Sequence, residues 1–389
     1  MKITEIVCRA IALPTRRKQR WASLTADLGA WVLIELRTDE GVVGWGEGTA
    51  LAQWGGDYGR YYGETPATIR HILQTIYAPV LIGADPRDLQ GVLARMDAGV
   101  RGHHYARTAV EAALLDLNAR AAGIPVYQLL GGRRRDRVSI AHSIGLMPLE
   151  AVLDELELVL EEGISTIKLK VGEDRARDIE VVTRVRERCG AGIDIQVDAN
   201  GGWRHAPEAL RMIEAIQAAE PRFIEQPVAG IVELEQLARW VRVPLMADES
   251  AWTARDVLEI SRRSAAALVS IYTSKAGGLL NAMRMDAVAQ ACGIGTNVNG
   301  SGESGIGNLA NVHLAAAMAS MTEASVFPIT GLESNRPTQT AMAVYTDDLL
   351  SEPFGYVDGQ VVVPDGPGWG IDIDLDKVAH YTLEEQVIR

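Results

Sequence analysis

Cysteine is scarce: Cys8, Cys189 and Cys292 are the only three in 389 residues. Three widely spaced thiols make neither a disulfide framework nor a zinc-ligand pattern, so a reducing, cytoplasmic setting is expected. No apolar run approaches the roughly 18 residues that span a bilayer, and the N-terminal Met-Lys-Ile-Thr-Glu-Ile lacks the apolar core of a secretory signal. No long basic block occurs and the formal net charge is −13. Nucleic acid and anionic membrane surfaces are therefore poor partners, although a local cationic site could still bind a small anion. Low-complexity segments and flexible linkers are missing as well.

What is present is an ordinary globular composition, 47% hydrophobic and 23% charged. The length suits a barrel of about 250 residues plus a second domain. The stretch from Ile164 to Ser250 is the informative one. It contains Thr-Ile-Lys-Leu-Lys-Val-Gly (166–172), Val-Asp-Ala-Asn (197–200), Ile-Glu-Gln-Pro (224–227) and Ala-Asp-Glu-Ser (247–250). In each, a short apolar run ends in charge: Lys168 and Lys170, Asp198, Glu225, Asp248. The intervals are about 23 to 30 residues, one strand, one helix and two loops. They continue to Lys275 and Glu303. A parallel (β/α)8 barrel brings all these strand ends to one mouth.

Residues 1–132 read as an α+β capping domain: a first strand at 1–13, a hairpin at 31–38 and 42–47, a loop rich in Gly, Tyr and Trp at 48–63, then helices at 65–80, 86–98 and 104–122. Leu-Leu-Gly-Gly (129–132) and Arg133 to Arg135 mark a boundary. Residues 133–330 read as the barrel, with eight strands at 138–144, 164–170, 193–198, 222–226, 243–248, 267–273, 294–299 and 324–329. Helix 149–162 places Leu149, Leu153, Leu156 and Leu160 on one face. Beyond 330 the alternation stops, and residues 331–389 are expected to return to the capping domain.

Asp198, Glu225 and Asp248 would repel one another at one mouth unless a cation joins them. Any one alone could be a rim acid paired with arginine; three in register point to hard-oxygen ligation of Mg²⁺, with Mn²⁺ an alternative. Asn200 and Glu249 are adjacent supporting candidates. Lys168 and Lys170, two apart on a strand, share one face. A neighbouring lysine and a divalent cation would lower a lysine's pKa and suit it to act as a base. Lys275, ending the sixth strand, is expected across the barrel, so that a proton can be handled on either face of a substrate. Gly300 to Gly305 matches Gly-x-Gly-x-x-Gly, but it comes late and Glu303 would repel a pyrophosphate, so it reads as a strained loop presenting Glu303. Arg16 to Arg20 with Trp21, and the loop carrying Trp54, Tyr58, Tyr61 and Tyr62, could cap the mouth and bind a second carboxylate; solvated charge and ordinary aromatic packing is the plainer account. His103 and His104 are read as structural.

These motifs, with Thr-Asp-Glu-Gly-Val-Val-Gly-Trp-Gly-Glu (38–47), Arg-Gly-His-His-Tyr-Ala-Arg (101–107), Lys-Ala-Gly-Gly from Lys275 and the tail at 366–377, resemble the enolase superfamily in its muconate lactonising subgroup. The resemblance spans nearly the whole chain. It implies a modified TIM-like barrel under an α+β cap, Mg²⁺ on Asp198, Glu225 and Asp248, and Lys168, Lys170 and Lys275 flanking a metal-bound substrate carboxylate. It further implies a small carboxylate substrate, a homo-oligomer, and Glu303 near the carboxylate. Gly302 departs from the bulkier residues usual there. The expected reaction is cycloisomerisation of a muconate-like diacid. The alternatives are racemisation or epimerisation of N-acyl amino acids or dipeptides, dehydration of a hydroxy acid, or metal binding without turnover.

Overall fold

The computed structural model describes residues 1–22, 28–56, 61–330 and 342–389. Three strands open the chain: β1 (Ile3–Ala12), β2 (Ala30–Thr38) and β3 (Val43–Thr49). They form an antiparallel sheet, and the last strand of the protein, Thr382–Ile388, pairs with the free edge of β1. Glycine decides how this sheet meets its helix. Gly44, Gly46 and Gly48 alternate along β3 and turn one face toward helix His104–Ala122. A Cβ at Gly44 would stand 2.2 Å from the Ala113 carbonyl oxygen, and one at Gly46 would stand 2.1 Å from that of Ala109. Without side chains there, strand and helix close to backbone contact, and almost the whole helix is buried. Trp369, in the turn-rich tail, seals the same junction. Its indole donates to the Trp45 carbonyl at 2.8 Å and its amide to Asp116 at 2.9 Å.

The barrel follows. β4 (Arg137–Ser139) leaves it for a small sheet with the tail strand Gln360–Val362. The other strands are β5 (His142–Ile144), β6 (Thr166–Lys170), β7 (Asp194–Asp198), β8 (Phe223–Glu225), β9 (Leu245–Ala247), β10 (Leu268–Ile271) and β11 (Gly295–Val298). These seven run parallel in sequence order. The single strand expected at 138–144 is thus two strands in two sheets. The eighth expected strand, 324–329, is a pair of bridges, Ser325 to Ile140 and Val326 to Asn299, which close the ring between β11 and the start. Backbone bonds on both sides (Ser325 amide to the Ser139 carbonyl, Ala141 amide to the Ser325 carbonyl, Gly300 amide to the Val326 carbonyl) are supplemented by side chains: the Val298 amide donates to Ser325 Oγ and the Val326 amide to Asn299 Oδ1. Pro328, with no N–H, stops the segment from extending.

Helix Leu149–Glu161 faces the barrel with Val152, Glu155, Leu156 and Val159. The expected leucine face is rotated: Leu149, Leu153 and Leu160 lie at its partly buried margins. The C-terminal ends of the strands share one rim, and the capping domain reaches over it. Trp54 from the cap packs in one apolar cluster with Trp252 and Tyr272 of the barrel.

Candidate active site

Parallel register places the charged residues. Lys170 of β6 stands beside Asp198 of β7, and Asp198 beside Glu225 of β8. Asp248 follows β9 directly. Lys168, Asp198, Glu225, Asp248 and Lys275 are all buried. Lys168 Nζ lies 2.9 Å from Asp198 Oδ2 and 2.8 Å from Glu225 Oε1. Lys170 Nζ lies 2.6 Å from the same Asp198 oxygen and 2.9 Å from Asn200 Oδ1. Lys275 donates to Asp248 Oδ1 at 2.5 Å, to the Asp248 carbonyl at 2.7 Å and to the Ser270 carbonyl at 2.8 Å.

The lysines themselves supply counter-charge to the three carboxylates. Among the described residues no group of three His, Cys, Asp or Glu side chains gathers closely enough to hold a metal ion. Among the protein's own groups, burial lowers Lys168, but Asp198 and Glu225 outweigh burial and raise it; the lowering expected at this lysine was to come from a neighbouring lysine and a divalent cation. The carboxylates divide accordingly. Burial pushes Asp198 up, but Lys168 and Lys170 both oppose it and hold it low. Burial raises Glu225, and Asp198 and Asp248 add to the rise against Lys168, its one lysine contact, and the more distant Lys170. Glu225 and Asp198 therefore move in opposite directions although both touch Lys168, and the count of lysine contacts accounts for it. Burial also raises Glu249, with Asp248 and Asp198 adding to the rise.

The donor set nevertheless fits a hard divalent cation. Glu225 Oε2 and Glu249 Oε2 are buried without a hydrogen-bond partner, and every carboxylate oxygen at this rim suits Mg²⁺ or Mn²⁺ better than a softer metal. Asn200 adopts a left-handed φ of 44°. In that turn its amide N–H donates to Asp198 Oδ1 and its side chain links Lys170 to Glu249.

A cavity of about 880 Å³, solvent at its mouth included, opens above Lys168, Lys170, Asn200 and Asp248. Trp21 and Trp54 wall it. The Lys170 ammonium is 5.5 Å from the Trp21 ring centre, and Trp54 stacks on Tyr272 at 5.4 Å. Lys275 does not line it. That residue sits past the strand end, on helix Thr273–Ala276, beneath Asp248 and 4.4 Å from the Tyr272 ring centre. Glu303 does not line it either. The loop shows Gly300, Ser301 and Gly302 to the cavity, while Glu303 turns away to accept from the Ser301 amide and Ser274 Oγ. Its neighbour Ser304 begins helix Gly305–Ala317, and Glu47 occupies that helix start, accepting from Ser304 and Gly307. The glycine pattern thus holds the chain's own carboxylate, not a pyrophosphate.

Arg17, Gln19 and Arg20 line the cavity, although a solvated loop was the plainer expectation for 16–21. Both arginines are already paired, Arg17 with buried Glu155 and Arg20 with half-exposed Glu173. Tyr61 is turned away, hydrogen-bonded to Asp256 at 2.7 Å and stacked on Trp252. Tyr62 is 75% exposed. Tyr58 lies outside the described residues. His104 packs against the backbone, 2.6 Å from the Lys275 carbonyl.

Tyr272, Asn299 and Gln226 escaped sequence reasoning. Tyr272 donates to Asp248 Oδ2 at 2.6 Å, and Asn299 Nδ2 approaches Glu225 Oε1 at 3.5 Å. Gln226 Oε1 accepts from the Asp248 amide at 2.8 Å, fixing where that carboxylate starts. Each lies at or just past a strand end, which was the available signal.

Comparison with known proteins agrees with this geometry. Residues 4–131 match the mandelate racemase / muconate lactonizing enzyme N-terminal domain, and residues 151–378 match the enolase C-terminal domain-like family. Muconate cycloisomerase 1 of Rhodococcus opacus is 32% identical over 388 residues, 98% of this chain and 99% of that protein. The crystal structure of N-succinyl Arg/Lys racemase from Bacillus cereus is 28% identical and superimposes with a TM-score of 0.91 over 100% of both chains. The muconate lactonizing enzyme of Pseudomonas fluorescens, solved with muconolactone, is 29% identical with a TM-score of 0.87 over 98% of this chain and 99% of that one. Among the described residues no helix is long and apolar enough to cross a membrane. The chain belongs to the mandelate racemase / muconate lactonizing enzyme family, in the muconate lactonising subgroup of the enolase superfamily.

Proposed function

We propose that this isomerase forms or collapses an enolate beside a substrate carboxylate and that its reaction is lactonisation of a muconate-like diacid. One observation carries the choice: among the described residues lysine faces the cavity from one side only, through Lys168 and Lys170, while the Lys275 ammonium is buried against Asp248. Lactonisation needs one proton delivered to one face, whereas racemisation needs an acid and a base on opposite faces.

A divalent cation on Asp198, Glu225 and Asp248 would bind the substrate carboxylate and stabilise the charge that develops beside it. Lys170, nearest the cavity, holds the proton for the enolate carbon. Lys168 keeps a positive charge at the floor between Asp198 and Glu225. Trp21 and Trp54 flatten the diene and exclude water. Arg20 takes the second carboxylate: its pair with Glu173 is half exposed, so exchanging one carboxylate for another costs little.

A second reading, racemisation of N-acyl amino acids, is favoured by the likeness to the Bacillus cereus racemase. It requires Lys275 to leave Asp248. The test is a side-by-side assay of cis,cis-muconate, N-succinyl amino acids and dipeptides with Mg²⁺ in D₂O. A lactone carrying one deuterium is the expected product. Inert muconate together with α-deuterium exchange in any amino-acid derivative overturns the first reading in favour of the second.

A further inference from the structure

The far wall of the cavity is assembled from two distant segments, and one histidine holds both. Residues 14–16 and 344–346 run antiparallel, with the Arg16 amide on the Val344 carbonyl at 2.8 Å and the Thr346 amide on the Pro14 carbonyl at 3.0 Å. Beneath them His142, 4% exposed on β5, uses both ring nitrogens. Nδ1 accepts from the Met342 amide at 2.9 Å, and Nε2 lies 2.7 Å from Glu155 Oε1. A nitrogen that accepts from an amide carries no proton, so the ring is neutral and its Nε2–H donates to Glu155. Burial first, then Arg17 and Arg16, push this imidazole down to about 3, in keeping with that tautomer. Glu155, 7% exposed, spends its carboxylate on the guanidinium of Arg17.

We propose that His142 and Glu155 are positioning residues for substrate selection: they fix the 14–17 and 342–346 segments as one wall and cancel the Arg17 charge in it. The proposal rests on the lactonisation reading, because it explains where the second carboxylate goes. A free Arg17 would compete with Arg20 for that carboxylate. With Arg17 neutralised by a buried partner, the wall meets the hydrocarbon part of the substrate and the carboxylate is left to Arg20. Neither residue contacts the reacting carbon.

The experiment compares two unreactive ligands, the dianion adipate and the monoanion hexanoate, by calorimetry on the Mg²⁺-loaded protein. Glu155→Gln frees the Arg17 charge while keeping the side chain's size. It should raise the adipate-over-hexanoate affinity ratio about tenfold, the size of one added charge-assisted hydrogen bond. Arg17→Met combined with Glu155→Gln should return the ratio to the wild-type value. A purely structural role would weaken both ligands equally, so an unchanged ratio in a folded Glu155→Gln protein overturns the proposal. Should Glu155→Gln fail to fold, Glu155→Asp, whose shorter side chain draws the carboxylate back from the guanidinium, should give a smaller rise in the same ratio, and an unchanged ratio there overturns the proposal. If neither ligand binds the wild type, the lactonisation reading fails, and amide exchange still judges the wall: His142→Phe should speed exchange at Met342 and Arg16. Unaltered exchange at both overturns the positioning role.

Discussion

Lysine is rare in this protein, six residues in the whole chain, and three of them meet the carboxylates at one rim. Arginine would not serve as well there, because an ammonium is compact and can give up its proton when its surroundings change. The same ammonium groups compete with any cation for Asp198 and Glu225. Lys168→Met should therefore bind Mg²⁺ more tightly than the wild type in titration calorimetry, and its melting temperature should rise more on adding Mg²⁺. Equal affinity in the two proteins would remove those carboxylates from the metal site. Asp248→Asn works in the opposite direction. It leaves the Lys275 ammonium buried and unpaired, a loss of about 3–5 kcal/mol, so denaturant unfolding should shift strongly in addition to any loss of turnover. Lys170→Met removes a largely covered ammonium, but Lys168 still pairs with Asp198. It should melt within a few degrees of wild type while turnover falls about 10²–10⁴-fold, the usual share of one positioned acid; retained turnover would clear Lys170 of the proton transfer.

At the level of elements, one junction holds the cap together and another joins it to the barrel. One is β3 on helix His104–Ala122, where glycine permits backbone contact. Gly46→Ala would drive a Cβ into the Ala109 carbonyl and should destabilise by about 3 kcal/mol or more, whereas exposed Gly83→Ala meets no neighbouring atom and serves as its control, with only its own φ of 79° to strain. The other is Glu47 at the start of helix Gly305–Ala317. Burial pushes Glu47 up to about 8 against the bonds from Ser304, and Glu303 adds to the rise. A carboxyl raised on folding contributes stability that is complete below its unfolded pKa of about 4.5 and is lost as pH climbs through 8. Glu47→Gln should thus lose little at pH 6 and become the more stable protein, relative to wild type, near pH 9. Parallel urea curves at the two pH values check this, and a constant difference between the proteins would mean Glu47 does not change charge there.

For the molecule as a whole, buried histidines join segments distant in sequence. His142 ties residue 342 to β5, and His313 accepts from the Tyr127 amide while its other nitrogen meets the Trp369 carbonyl. Burial pushes His142 down to about 3 and His313 to about 4. A histidine lowered on folding stabilises fully above its unfolded pKa near 6.5, and that contribution drains away as the solution is acidified toward the folded values. Stability should fall between pH 6.5 and 4, and His313→Gln should flatten that slope. An identical slope in the variant would assign the acid loss to the carboxylates alone.

The fold class and the rim residues were legible because both depend on local rules. Apolar runs ending in charge at one-unit intervals specify parallel strands, and parallel strands share an end; Lys168, Lys170, Asp198, Glu225 and Asp248 could be placed together from spacing alone. Glycine at 44, 46 and 48 was visible too, but its purpose needed the helix it faces. What the chain order could not express is which partner each side chain meets. Strand 138–144 divides because its halves find different neighbours, and the closing segment at 325–326 adds side-chain bonds to a ladder only two bridges long. Lys275 lies under Asp248 and Glu303 behind its loop because a single turn past a strand end reverses a side chain's direction. Arg17 reads as a free cation in sequence and is neutralised in the fold, since Glu155 reaches it from a helix more than a hundred residues away. Local periodicity determines where a strand ends; only three-dimensional packing determines which charges are left over for a substrate.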